Sequence, residues 1–135
     1  MQASLSYLGV VFLMVMDVQK VQTTLQSLVG SGPEIQGAAL VTLDGLPLVS
    51  TLPPDMDEER VSAMAASMLS IGERIGGELQ RGDVGRVFVE GNQGYCMLTS
   101  CGQDAVLLVL ASAAAKQGLI NLAIKQTLAE LETVI

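Results

Sequence analysis

The spacing of apolar positions changes period along this chain, and each change marks an element. From Ile35 the alternation is two-fold: Ile35, Gly37, Ala39, Val41 and Leu43 share one face, and Gln36, Ala38, Leu40 and Thr42 the other. Both faces are mostly apolar or small, so this strand is expected to be covered on both sides. Asp44-Gly45 then predicts a two-residue turn with positive φ at both central positions, making residues 35–51 a tight β-hairpin. Pro47 in the second arm cannot donate to a ladder, which puts that arm at a sheet edge.

Helical spacing flanks the hairpin. Before it, Val18, Val21, Leu25, Leu28 and Val29 form a stripe that Gly30-Ser31-Gly32-Pro33 terminates. After it, Pro53-Pro54 breaks the strand, and Asp55 or Asp57 caps a long helix with Glu58 and Glu59 in its first turn. In that helix Val61, Met64, Ala65, Met68, Ile71, Ile75 and Leu79 predict the buried stripe. The other side is small: Ser62, Ala63, Ala66, Ser67 and Ser70. A helix with so little charge is expected to pack on its own sheet and also against another helix. Three further strands follow, at 86–90, 95–101 and 105–110, the last apolar throughout and therefore central. Ser112 is the expected cap of a closing helix whose buried stripe is Leu119, Ile120, Ala123, Ile124, Leu128 and Leu131. The order is α-β-β-α-β-β-β-α. Short turns make the strands antiparallel, an α+β sandwich.

Composition bears on how this domain is used. The chain has 135 residues, half of them hydrophobic but few aromatic and none Trp, so the core must be aliphatic. A mean hydropathy of +0.48 leaves surplus apolar surface, and a protein–protein interface is its simplest destination. Net charge is −7, and the seven basic residues are scattered, which argues against nucleic acid and against an anionic membrane surface. No apolar stretch reaches the length that spans a bilayer. Residues 1–16 form an apolar N-terminal extension ahead of a domain at 17–135. Three readings of it are open: a packed extension of the first helix, a membrane-touching anchor, or an upstream false start before Met14 or Met16.

The chemistry expected of the chain is slight. There is no histidine, which removes the usual general base and the commonest metal ligand. Cys96 and Cys101 lie five positions apart on one strand, so they point to opposite faces as two small buried hydrophobes, with no disulfide or shared metal. Nothing in this usage calls for an oxidising compartment, and a cytoplasmic location is expected. The chain contains no phosphate-binding Gly-x-x-x-x-Gly-Lys loop, no dinucleotide glycine fingerprint after a strand and no Gly-x-Ser-x-Gly elbow. The acidic group Asp55, Asp57, Glu58 and Glu59 is explained by helix capping, and Arg81-Gly82-Asp83 by a turn. No catalytic, cofactor or metal residues are assigned.

The runs GAALVTLDGLPLVST and GRVFVEGNQGYCMLTSCGQDAVLLVLA, with a long Ala/Ser/Met helix between them and a closing helix after, resemble the roadblock / dynein light chain family. Among its branches the chain is most similar to the prokaryotic MglB-type proteins, over about residues 17–132. The resemblance implies a five-stranded antiparallel sheet with one helix on one face and two on the other. It implies a homodimer joined through the third strand (Arg86, Val87, Phe88, Val89, Glu90) and the second helix (Ala63, Ala66, Ser67, Ser70). It further implies a partner, a Ras-like small GTPase, regulated by repositioning the GTPase's own catalytic residues. The candidate partner-binding residues are Arg60, Ala63, Ser67 and Arg74. The alternatives are a scaffold subunit with no effect on hydrolysis and, more distantly, an enzyme or small-molecule sensor. A heterodimer with a paralogue is a further open case.

Overall fold

The computed structural model describes residues 16–134. The expectations for residues 1–15 lie outside the described residues. Met16, where the apolar extension ends, is buried in the core. The element order is α1 (Val18–Val29), β1 (Ile35–Thr42), β2 (Pro47–Thr51), α2 (Glu58–Glu78), β3 (Arg86–Gly91), β4 (Gly94–Cys101), β5 (Ala105–Ser112) and α3 (Gln117–Glu132). The strands form one antiparallel sheet in the order β2-β1-β5-β4-β3. β1 and β5 are central, as their apolar runs required, and the Pro47 strand is an edge.

Two apolar layers enclose the sheet. On one face α1 and α3 cover Ala38, Leu40, Met97, Leu107 and Val109 with Val21, Leu25, Ile120, Ile124 and Leu131. Asp17 starts this layer by accepting the Lys20 N–H, and its own N–H donates to the Val134 carbonyl at 3.1 Å, so α1 begins where α3 ends. On the other face α2 lies alone on Ala39, Val41, Leu98, Val106 and Leu108. The two cysteines take opposite layers: Cys101 is buried with α1 and α3, while Cys96 is half-buried toward α2.

Local geometry departs from the strict sequence pattern in four places. Ile35 joins the α1/α3 layer with Ala38 and Leu40, because a register shift between Ile35 and Gly37 inverts the alternation. The β1–β2 turn is longer than two residues. The Gly45 N–H donates to the Thr42 carbonyl at 3.0 Å, and of Asp44 and Gly45 it is Gly45 alone that has positive φ, at 90°. Leu43 consequently leaves the strand and is 46% exposed. Ser112 ends β5 instead of capping α3, whose N-cap is Lys116 without a side-chain hydrogen bond. In α3, Leu119 is turned outward, and Thr127 takes a place in the buried stripe.

Candidate functional site

α2 determines the character of the open surface. Asp57 caps it, its carboxylate accepting the Glu59 and Arg60 N–H groups at 3.1 and 3.3 Å. The face set on the sheet is Ser62, Ala65, Leu69 and Gly76, all buried. Ser62 satisfies its buried hydroxyl by donating to the Glu58 carbonyl at 2.8 Å. Two glycines bring the helix very close. A Cβ on Gly72 would stand 2.6 Å from Val87 Cγ2, and one on Gly76 would stand 2.7 Å from Val84 Cγ2. The small face is therefore spent partly on this chain's own sheet.

The larger apolar stripe does not go inward as expected. Ala65 is buried, and Val61 and Met68 are half-buried. Met64, Ile71, Ile75 and Leu79 are 58%, 56%, 53% and 61% exposed. Beside them α2 leaves part of the sheet uncovered. The result is a groove of about 620 Å³ whose walls include Met64, Met68 and Ile71 from the helix and Val89, Cys96 and Leu110 from the sheet.

β3 borders this groove and pairs with β4 on one side alone, so its other edge is open among the described residues. Cross-strand partners share a face. Val87 and Val89, opposite Leu98 and Cys96, point to the α2 side. Arg86, Phe88 and Glu90, opposite Thr99, Met97 and Tyr95, point to the other. Phe88 packs on Tyr95 with ring centroids 4.8 Å apart. Phe88 and Val89 are 36% and 40% exposed, an unusual cost for an edge strand that ends the sheet.

The predicted residues fall into three groups. Arg86 to Glu90 form the open edge, and Ala63 and Ser67 line the groove that it borders. Ala66 and Ser70, with Leu43 and Asp44, line an adjoining cleft of about 530 Å³ that shares Ala63, Ser67 and Ile71 with the groove. That cleft is tight at its base, since a Cβ on Gly45 would stand 3.1 Å from Ala63 Cα. Arg60 and Arg74 are exposed near the two ends of the helix, about 21 Å apart along its axis. They cannot reach one phosphate together. Reasoning from the sequence missed Met64, Ile71 and Ile75 as surface residues. The available signal was the second stripe, Ser62, Ala65, Leu69, Gly72 and Gly76, whose small size permits close helix–sheet contact.

Among the described residues the titratable groups supply no activated nucleophile. Burial raises the Cys96 thiol above its ordinary range. Burial, and then the Glu132 charge, push Cys101 up to about 11. Burial followed by Glu90 raises Tyr95. Among the described residues no three His, Cys, Asp or Glu side chains gather as metal ligands. No helix there is long and apolar enough to cross a membrane. The surface is suited to binding a protein.

Comparison with known proteins agrees with this architecture. The uncharacterized protein MJ0310 of Methanocaldococcus jannaschii is 34% identical over 92 residues, 68% of this chain and 80% of its own length. A Roadblock/LC7 domain from Streptomyces avermitilis superposes with a TM-score of 0.76 at 24% identity, covering 83% of this chain and 94% of that one. Myxococcus xanthus MglB superposes with a TM-score of 0.79 at 19% identity, covering 87% and 88%. Both structural likenesses are of fold. The profile of the Roadblock/LC7 domain matches residues 21–111, and on that match, with the relative sharing a third of its aligned residues, this chain belongs to the Roadblock/LC7 domain family.

Proposed function

We propose that this protein is a homodimeric interaction module, not itself a catalyst, that binds and regulates a Ras-like small GTPase. The observation that carries the dimer is the continuity of the open β3 edge with the apolar groove and the exposed Met64, Ile71 and Ile75. One second copy would cover all three at once. A two-fold axis at Phe88 would set Arg86 of one copy opposite Glu90 of the other, at both ends of the pairing. Both side chains are exposed and share a face of the sheet, which supports that register. Each such cross-strand pair contributes about 0.2–1 kcal/mol.

The GTPase reading rests on family membership and on the likeness to MglB. The dimer acts by differential binding: it holds the GTP-bound switch conformation more tightly than the GDP-bound one, and that difference alone shifts the partner. Where hydrolysis is accelerated, the favoured conformation is the one that aligns the attacking water. The test is a pull-down with this protein as bait, run with GDP and with a non-hydrolysable GTP analogue. Retention of a small GTPase in the analogue lane alone supports regulation and calls for a hydrolysis assay. Equal retention in both lanes replaces regulation with a scaffold role.

A further inference from the structure

Sulfur is concentrated in the groove beside α2. Met56, Met64, Met68 and the Cys96 thiol all line it. Met56 and Met64 are 42% and 58% exposed, whereas Met16 and Met97, in the α1/α3 layer, are 5% and 1% exposed. The accessible thioethers among the described residues are thus gathered on the surface assigned above to the second copy. Methionine conforms well to an apolar partner, but its sulfur accepts an oxygen atom and then becomes a polar sulfoxide.

We propose that Met64, with Met56 at the rim, is a reversible oxidation site through which hydroperoxides dissolve the dimer. This rests on the reading of the groove as the dimer interface. The thioether sulfur attacks one peroxide oxygen and the O–O bond breaks. Sulfur keeps that oxygen as the sulfoxide, and the proton it carried passes to the departing hydroxide as water, or to the alkoxide of an organic hydroperoxide as an alcohol. Sulfur loses two electrons and the peroxide gains them. A thioether needs no prior deprotonation to attack, so the reaction proceeds where the half-buried Cys96 thiol stays protonated and slow. It occurs on the dissociated chain, in which Met64 is open. The sulfoxide oxygen then lies in a groove whose lining is apolar apart from the Ser67 hydroxyl and the weakly donating Cys96 thiol, and re-association carries the cost of burying it among Val89, Leu98, Leu108 and Leu110.

The test uses the full purified chain treated with millimolar hydrogen peroxide, with peptide mass spectrometry and sedimentation velocity on the same samples. Expected are sulfoxide at Met64 forming about tenfold or more faster than at Met97, and a dimer Kd weakened about tenfold or more. Methionine sulfoxide reductases A and B together restore the dimer. The variant M56L/M64L/M68L has its untreated Kd measured first as its own baseline, and that Kd does not change with peroxide. The inference is overturned by Met64 sulfoxide with an unchanged Kd, by a response that persists in the triple variant, or by Met97 oxidising as fast as Met64. Untreated protein that is monomeric at high micromolar concentration overturns the dimer itself, an outcome distinct from the other three.

Discussion

Ile71 gives the sharpest test of the surface on α2. Its side chain is 56% exposed, so the isolated fold draws little from it. Full burial of an isoleucine is worth about 1.5–3 kcal/mol, so covering the remaining half is worth about 1–1.5 kcal/mol in each copy. A two-fold dimer counts the residue twice. Ile71→Ala therefore removes about 2–3 kcal/mol and weakens dimerisation about 30- to 150-fold. Ile71→Asp places an uncompensated carboxylate on each side and is expected to leave monomer at micromolar concentration. Alanine is the better helix former, so folding of the single chain is not impaired. Sedimentation velocity over a dilution series gives the Kd, and circular dichroism verifies the fold. Leu119→Asp is the control. Leu119 is 63% exposed but lies in α3, across the sheet from α2. An Ile71→Ala dimer of unchanged affinity refutes the reasoning, and so does a Leu119→Asp chain that dissociates equally.

Other expectations concern the register and the fold. Arg86→Glu weakens the dimer, and the double exchange with Glu90→Arg restores it; a double variant no better than the single one rejects the Phe88-centred pairing. Gly72→Val forces a Cβ to within 2.6 Å of Val87 Cγ2, and β-branched Val87 has few rotamers to escape into, so thermal melting should reveal a loss of about 1–3 kcal/mol. Asp57→Ala removes the acceptor for two N–H groups of α2 and costs about 1 kcal/mol in denaturant unfolding. Cys101 titrates near 9.0 when unfolded and about 11 when folded. The folded chain holds that proton more tightly, so this contribution is complete below pH 9, declines up to about pH 11 and is flat above. Cys101→Ala should flatten the stability profile in that window.

Much of the fold could be read from the chain because the physics there is local. The two-sided apolar run of β1 places it in the sheet centre, Pro47 places β2 at an edge, and the five-residue spacing of Cys96 and Cys101 places them on opposite faces. Periodicity of this kind depends on backbone geometry alone. The third strand as a joining edge came from the family resemblance and not from local patterning, since the order of elements does not say which strand ends the sheet.

Tertiary contact decided which stripe of α2 meets the sheet. Helical spacing reports that Met64, Ile71 and Ile75 share a face, and that Ser62, Leu69 and Gly76 share another, but not which neighbour each face meets. Hydrophobicity favoured the first for burial. Close packing favoured the second, because the helix axis can approach Val84 and Val87 only where Gly72 and Gly76 carry no Cβ. The same limit hid the inversion at Ile35, where one extra backbone residue reverses the alternation, and the exposure of Leu43, which follows from how the turn closes on Thr42. The sequence by itself determined the elements, their order and the large apolar stripe of α2. The structure determined that the smaller stripe is used inside and the larger is left outside, since the distance of closest approach between helix and sheet is set by residues far apart in the chain.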